Sequence, residues 1–328
     1  MTRILTYHDI DQQQWQQLVQ SSPLATWFQT DEAYRFYQSV SDMRAFAYGV
    51  AEAGGLVGVV VGYTTREKCK FKQYFTARTI IPGGPLLATE ISNEALSTLL
   101  TALHERLYST IYIESRNYND YSQWKSVFTQ CGFTYNRHLD IHVHCKADHQ
   151  MSERRQRELK RAIKNGATIA EAQTEQEIRT WYQILNRLYR EKVRTPLFSE
   201  EFFLQFYRNG VGKYLLVKAD DKVIGGMMCP ILDGKAIYEW YVCGLDEEYR
   251  ELSPSVVATA AAIEYAKKNG LPLFDFMGAG VPGVPYGVRE FKREFGGELV
   301  EYGRFLCIRK PLLYWLGNLG VKLLKMKR

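Results

Sequence analysis

The run Val50-Ala-Glu-Ala-Gly-Gly-Leu-Val-Gly-Val-Val-Val returns in character as Leu216-Val-Lys-Ala-Asp-Asp-Lys-Val-Ile-Gly-Gly-Met. Each copy reads as a strand, a two-residue turn of Gly-Gly or Asp-Asp type, and a second strand. Each is then followed by the pattern of a strand, a helix and another strand. These cover Phe75 to Ile81, Asn93 to Tyr108 and Ile111 to Glu114 in the first half, and Ala236 to Cys243, Pro254 to Asn269 and Leu273 to Phe276 in the second. Helical patterns also precede each copy, over Asp11 to Val19 and Asp31 to Val40, then over Glu175 to Lys192 and Ser199 to Tyr207. Hairpins leading twice into strand-helix-strand units restrict the chain to a duplicated α/β architecture, with a mixed sheet covered by helices in each half.

A strand over Arg137 to Cys145 closes the first half, which puts the boundary near residue 147. The pattern predicts one domain over 1–147, a second over 148–309, and a basic amphipathic tail over 310–328. A length of 328 residues suits two domains, and 46% hydrophobic with 24% charged residues is an ordinary soluble-globular composition. Six cysteines (69, 131, 145, 229, 243 and 307) form no CxxC pair, and several sit in apolar strand patterns, so reduced core thiols are expected. With no charged-then-apolar leader pattern and no apolar run of bilayer length, a cytoplasmic protein is expected.

The net charge of +6 is unevenly spread, with basic residues gathered at 153–164 and 304–328, and an anionic partner is expected. Ser152 to Asn165 has helical period, with Ser152 as N-cap and Gly166 as stop. Leu159, Ala162 and Ile163 would face inward, and Arg154, Arg157, Arg161 and Lys164 would form a second, basic face. A solvated face and a phosphate-binding face both fit that pattern. The tail KPLLYWLGNLGVKLLKMKR mixes Leu312, Leu313, Tyr314, Trp315, Leu316, Leu319, Leu323 and Leu324 with Lys322, Lys325, Lys327 and Arg328. It could lie at the inner face of a membrane beside anionic headgroups, or dock on the protein's own core.

The stretch Leu273 to Tyr302 concentrates the chemistry. A short strand runs into a loop bearing Gly278, Gly280, Gly283 and Gly287 with Pro282 and Pro285. In the helix beyond it, Val288, Phe291, Lys292 and Phe295 share a face, which draws the Lys292 ammonium toward whatever its aromatic neighbours bury. Gly296-Gly297 stops that helix, and Leu299 to Ile308 returns as one strand. Elsewhere, His138, Asp140, His142 and His144 alternate along a strand. A wet sheet face explains them without a metal, and none is assigned. There is no Gly-x-Ser-x-Gly elbow, no GxxxxGK[ST] loop and no strand-linked GxGxxG, which argues against covalent serine catalysis, nucleotide hydrolysis and dinucleotide chemistry.

FDFMGAG, FKREFGG and VEY, in that order, resemble the C-terminal signature of the Fem family of peptidoglycan-bridge aminoacyltransferases, within the wider GNAT-like acyltransferase group. The resemblance continues upstream in TWFQTDEAYRFY (26–37), PGGPLL (82–87), ERRQRELKRAIKNGATI (153–169) and AIYEWYVCGLDEEYRELSPSVVATAAAIEYAKKNG (236–270), so it spans nearly the whole chain. It implies tandem duplicated GNAT-like domains, each a mixed, mostly antiparallel sheet flanked by helices. It implies that Lys292 matches the catalytic lysine, stabilising negative charge that develops during acyl transfer, and that Phe291 orders the donor's acceptor end. Arg35 falls where the family places a basic residue, often Lys, for a phosphorylated sugar-peptide acceptor, and Arg194 is the candidate for the second, with Arg190 competing. Tyr286, Glu239 and Glu301 are further candidates for substrate contact, and Asp275 for capping the glycine loop.

No cofactor is implied. The acyl donor would be aminoacyl-tRNA, and the acceptor an anionic, nucleotide- or lipid-linked cell-envelope precursor. A coenzyme A enzyme of the GNAT group would hold pyrophosphate at a helix N-terminus after the central strand, but there this sequence has Asp246, Glu247, Glu248 and Glu251, which would repel it. The sequence shows no long coiled-coil hairpin of the kind that some family members use for tRNA contact, which keeps a different acyl donor or acceptor open, such as a polysaccharide or lipid sugar; an acyl-CoA-dependent N-acyltransferase on the same fold is the alternative reading. A non-catalytic nucleic-acid- or membrane-binding protein remains as a third reading.

Overall fold

The computed structural model describes residues 2–67, 69–146 and 151–326, without the side chains of 70, 72 and 320–326. Residue 147, Lys327 and Arg328 therefore lie outside the described residues. The chain forms two compact units, 1–137 with 302–328, and 138–301.

In the first unit the elements are β1 (Thr2–Thr6), α1 (Gln12–Ser21), α2 (Asp31–Ser39), β2 (Met43–Glu52), β3 (Gly55–Thr65), α3 (Lys70–Thr76), β4 (Thr79–Gly83), β5 (Leu86–Leu87), α4 (Asn93–Arg106), β6 (Tyr112–Asn117), α5 (Lys125–Gln130) and β7 (Thr134–Asn136). The second unit comprises β8 (Leu139–His144), α6 (Glu153–Lys164), β9 (Thr168–Glu171), α7 (Glu175–Leu188), α8 (Glu200–Arg208), β10 (Gly212–Ala219), β11 (Lys222–Leu232), β12 (Ala236–Tyr238), β13 (Tyr241–Gly244), α9 (Pro254–Lys268), β14 (Leu273–Asp275), α10 (Gly287–Arg293) and β15 (Glu298–Glu301). The chain then returns to the first unit with β16 (Arg304–Ile308) and α11 (Pro311–Met326).

Each unit has one eight-stranded sheet. The first runs β1-β2-β3-β4-β6-β16-β7 with β5 paired to β3, and the second β15-β8-β14-β12-β11-β10-β9 with β13 paired to β11. All pairings are antiparallel except β4 with β6 and β12 with β14. These are the duplicated mixed sheets covered by helices that the repeat predicts, mostly antiparallel as the resemblance implies.

The two hairpins match in detail. Residues 53 and 54, and residues 220 and 221, all adopt positive φ, as a two-residue turn matching strand twist requires. The turn is thus Ala53-Gly54 rather than Gly54-Gly55. Each hairpin also has a register shift at the same distance before its turn, at Val50/Ala51 and at Val217/Lys218. A duplicated bulge is a stronger mark of common origin than hydrophobic alternation, because bulges are placed individually.

Apolar packing explains the layers. Leu96, Leu99, Leu100 and Leu103 of α4 pack on Val50, Val60, Ile81 and Ile113 in the first unit. In the second, the alanine-rich α9 lies close on Val217, Met227, Ile237 and Phe274.

Several expectations change. The strand expected over Arg137 to Cys145 leaves the first half, because Leu139, Ile141 and Val143 belong to the second core and β8 pairs with β14 and β15. In return, β16 lies between β6 and β7. The stretch from Leu299 to Ile308 is therefore two strands in two sheets, broken at Gly303, whose φ is +64°. The units divide at 137/138 and 301/302 instead of near 147. Phe75 and Thr76, read as strand, end α3, and Ala236 to Cys243 is interrupted at Glu239 and Trp240. On α6, Ile163 is exposed while Arg155 is buried. Arg155 caps that reversal by pairing with Glu158 and, at 2.8 Å, with Glu294. Cys69 is exposed rather than in the core.

Candidate functional site

The glycine-rich loop begins where β14 ends. Phe276 still donates its amide to Ile141 O of β8 (3.1 Å), but Met277 and Gly278 then take φ of +56° and +132°, which turns the chain out of the ladder. Two cations of α10 tie this loop down through its carbonyls. Lys292 Nζ donates to Phe276 O (2.7 Å) and Gly278 O (2.9 Å). Arg289 Nε donates to Ala279 O (2.7 Å), while its Nη2 donates to Val281 O (2.7 Å) and Val284 O (3.1 Å). The side chains sit three residues apart and face the loop together, and both are buried. Val288, expected on that face, is exposed.

Lys292 is also paired with Glu239, whose Oε1 lies 3.0 Å from Nζ. Glu239 occupies the break between β12 and β13, where its amide donates to Asp275 O at 2.9 Å. Its Oε2 is buried and makes no hydrogen bond. The ammonium lies 5.3 Å from the centre of the Phe276 ring. The positive charge is thus held by a carboxylate, two carbonyls and a ring face, in surroundings of low dielectric that strengthen each contact.

Beneath the loop, β8 and β14 bring Asp140, His142 and Asp275 together. His142 and Asp275 are cross-strand partners, with Nε2 and Oδ2 3.5 Å apart. Asp140 Oδ1 accepts from the amides of Ile141 and Gly278, both at 2.7 Å, and Asp275 Oδ1 from Met277 N at 2.6 Å. Asp275 is thus the cap of the glycine loop. The wet-face expectation fails here: Asp140 and His142 are both buried, His138 is half-buried, and only His144 is exposed.

Three buried carboxyl groups face one lysine and one histidine, so protons must balance part of the charge. Burial, reinforced by Asp275, pushes the Asp140 carboxyl well above the usual carboxylate range against the pull of His142 and Lys292. Burial likewise raises Glu239, against the opposing Lys292 charge. For His142, burial acts to lower the imidazole, but Asp275, Asp140 and Glu298 together outweigh it and the net shift is upward. Such a cluster can retain protons and pass them between neighbours. Asp140, His142 and Asp275 also offer one ligand atom each within 4.8 Å of one another, a donor set of the kind that divalent cations use.

The remaining expected residues are distributed as follows. Phe291 is half-buried against the second core, with the Arg155 guanidinium 4.5 Å over its ring. Tyr286 stands at the N-cap of α10, packed on Gly280, where an added Cβ would meet its Cδ1 at 2.8 Å. Burial, with the charge of Tyr286 adding to it, pushes the Tyr189 phenol up to about 12. Arg190 belongs to a π-turn over Tyr189–Val193 that continues α7, and with Gln183, Asn186, Arg187 and Glu191 it lines a surface cavity of about 410 Å³. Arg194 ends that turn in the left-handed region, its Nε donating to Glu191 O at 2.9 Å. Glu301 closes β15 as the partner of Leu139. Arg35 lies in the first unit, on α2, paired with Asp31 at 2.8 Å. The structure thus joins Lys292 with Glu239 and with the cap Asp275. It adds Arg289, Asp140 and His142, which the sequence reading did not assign to the site.

The N-terminus of α9, where a GNAT enzyme would hold pyrophosphate, carries a carboxylate of the chain itself. Asp246 accepts from Ser255 N at 3.0 Å and from the Ser255 hydroxyl. Glu247 pairs with Lys192 at 2.6 Å, and Glu248 with Arg187.

Known structures share this architecture. The crystal structure of FemX superposes on 96% of this chain and 99% of its own with a TM-score of 0.72, at 15% identity. The chain has the tandem GNAT fold of FemX. L-PGS from Bacillus licheniformis superposes over 92% of each chain, with a TM-score of 0.58 and 12% identity. A tandem GNAT protein from the clavulanic acid biosynthesis pathway covers 94% of this chain and 99% of its own, with a TM-score of 0.58 and 10% identity. At these identities the likeness speaks for the fold. By sequence, residues 152–293 match the family described as Acetyltransferase (GNAT) domain. No curated protein matches the chain by sequence.

Proposed function

We propose that this protein is a Fem-like acyl-group transferase that forms an amide bond on an amine of an anionic cell-envelope precursor, with an aminoacyl-tRNA ester as donor. The observation that carries this reading is the Lys292 ammonium, buried and fixed by Phe276 O, Gly278 O and Glu239 at the glycine-rich loop. A preorganised cation of this kind stabilises the oxyanion formed when an amine attacks an ester carbonyl. In that step the amine nitrogen bonds to the acyl carbon and the carbon–oxygen bond to the donor breaks. The proton lost by nitrogen goes to the leaving oxygen. Within the second unit, Arg190 or Arg194 is the proposed contact for phosphate of the acceptor, Arg190 being the one that borders a cavity, and Arg35 is a separate proposed phosphate contact on the first unit. Phe291 and Tyr286 are the proposed contacts for the donor end, and Glu301 remains a proposed polar contact.

The match of residues 152–293 to the GNAT domain supports a second reading, acyl-CoA-dependent N-acylation. Against it stands Asp246, which occupies the α9 N-terminus where coenzyme A pyrophosphate would need those amides. Two measurements separate the readings. In a transfer assay with labelled aminoacyl-tRNA and nucleotide- or lipid-linked precursors, label should enter the acceptor, and Lys292→Met should reduce the rate at least about a hundredfold. In thermal-shift measurements, precursor and tRNA should raise the melting temperature and coenzyme A should not. Stabilisation by acyl-CoA alone would reverse the ranking, and unchanged transfer by Lys292→Met would remove the lysine from the mechanism.

A further inference from the structure

Two helices of the first unit present their apolar stripes to solvent. On α3, Phe71 is 75% exposed, Tyr74 55% and Phe75 47%. Their spacing of i, i+3 and i+4 is the one that normally marks a core-facing stripe. On α11 the same spacing recurs in Leu312 (69% exposed), Trp315 (59%), Leu316 and Leu319. The opposite side of α11 meets the unit, since the Tyr314 ring packs edge-on against Tyr112 at 5.5 Å.

The two stripes adjoin. Lys310, at the root of α11, places its ammonium 4.3 Å from the centre of the Tyr74 ring while donating to Ser109 O at 2.9 Å. Next to Ser109 in the chain, Tyr108 is also strongly exposed. Large aromatic and aliphatic side chains thus cluster on one surface instead of lying scattered, which on a soluble domain marks an interaction site.

The charge of the two segments selects the partner. Neither 68–78 nor 309–328 contains an aspartate or glutamate, whereas together they carry Lys68, Lys70, Lys72, Arg78, Arg309, Lys310, Lys322, Lys325, Lys327 and Arg328. Among the described residues no helix is long and apolar enough to cross a membrane. A basic amphipathic helix of that kind, with tryptophan and tyrosine on its surface, is suited to lie in a bilayer interface. We propose that α3 and α11 together form a docking face for an anionic lipid bilayer. The aromatic stripes enter the headgroup boundary, and the basic, acid-free sequence of the two segments favours anionic over neutral lipid. The inference does not depend on the transfer chemistry, because it uses only the first unit's surface.

The test is co-sedimentation of the full chain with vesicles of phosphatidylcholine alone or mixed with phosphatidylglycerol. Binding should favour the anionic vesicles by at least about tenfold and weaken as salt is raised. Phe71→Ser with Trp315→Ser should cut that binding at least about tenfold, with no fall in melting temperature because both side chains are exposed. Equal binding to neutral vesicles, or full binding by the double variant, would overturn the proposal. So would a dimer in sedimentation velocity that the double variant dissolves while wild type ignores vesicles, since the face would then be covered by a second copy.

Discussion

Replacing Lys292 with methionine keeps most of the aliphatic stem and removes the ammonium, which isolates the charge. Glu239 Oε1 would lose its partner at 3.0 Å, and Oε2 already makes no hydrogen bond. Phe276 O and Gly278 O would lose the donors at 2.7 and 2.9 Å. Stripping one member from a buried ion pair costs about 3–5 kcal/mol. The raised pKa of Glu239 lets it take up a proton, which limits the loss and puts the expected destabilisation near about 3 kcal/mol. Glu239→Gln leaves an amide oxygen to accept from Lys292 and should cost only about 1 kcal/mol. In the double variant no charge is stranded, so the pair should recover about 2 kcal/mol relative to the sum of the single changes.

The assay is urea unfolding followed by tryptophan fluorescence, with Trp181 and Trp240 reporting on the second unit. Strictly additive single and double variants, or a Lys292→Met protein as stable as wild type, would mean that the ammonium is solvated and the site is not the closed one described. A kinetic loss without a stability loss would place Lys292 in the reaction but refute the burial argument. The double variant also separates the two roles, because regained stability should bring no regained transfer activity.

The cluster under the glycine loop gives stability a pH dependence. Asp140 and Glu239 are raised above their unfolded values, and so is His142. All three therefore contribute most below the unfolded pKa, and that contribution is lost as pH rises through the folded pKa. Melting temperature should fall from about pH 4.5 toward about pH 8, and Asp140→Asn should flatten the slope. Glu114 has the opposite sign: despite burial, Arg116 and Arg304 hold its carboxyl down to about 2. Its contribution is present above the unfolded value and lost as pH falls toward about 2. Glu114→Gln should cost about 2 kcal/mol at neutral pH and remove that acid limb, measured by urea unfolding across pH. Gly280→Ala, at φ +80°, should cost about 1 kcal/mol and displace Tyr286, seen as a change in tyrosine fluorescence. Asp246→Ala should cost about 1 kcal/mol through the lost cap on Ser255 N, and coenzyme A binding by calorimetry should remain absent if the fold has abandoned that ligand altogether.

The duplicated order and the glycine loop were legible because each has its own local signal: period-two alternation, helical period and clustered glycines. What failed needed partners that lie elsewhere in the chain. Alternation along 138–144 is the same whether the polar face meets water or other buried carboxyls, and only the pairing of His142 with Asp275 decides it. A seven-residue helix such as α10 has no third turn to fix which face repeats, so the sequence pattern points to Val288 where the structure buries Arg289. The stretch from Phe75 to Ile81 reads as strand because Phe75 adjoins the β-branched Thr79, Ile80 and Ile81 in sequence, whereas in the structure Phe75 belongs to the end of α3 with its ring exposed. Asp246 shows the same limit: the sequence offers four acidic residues in this loop, and only the structure shows which carboxylate is seated on a helix amide.

The strand exchange has an energetic logic that the repeat conceals. The first unit needs β16 between β6 and β7, yet β7 ends at Asn136 and β16 begins at Arg304, its register partner. The whole second unit is therefore the connection of that strand pair. In the unfolded state this is a loop of roughly 170 residues, and closing it rather than a loop of a few residues would cost about 3 kcal/mol of chain entropy. Folding of the second unit removes most of that cost, because its two ends, Leu139 and Glu301, are themselves cross-strand partners. Once folded, it presents β7 and β16 with the closely spaced ends of a hairpin. The coupling is reciprocal by linkage: damage to the second unit, as in Lys292→Met, loosens the first by up to about 3 kcal/mol through β16, and a formed β7/β16 pair, by holding the two chain ends together, steadies the second by the same amount. Two duplicated halves have thus become one host and one insert, and the insert is the unit that carries the buried lysine.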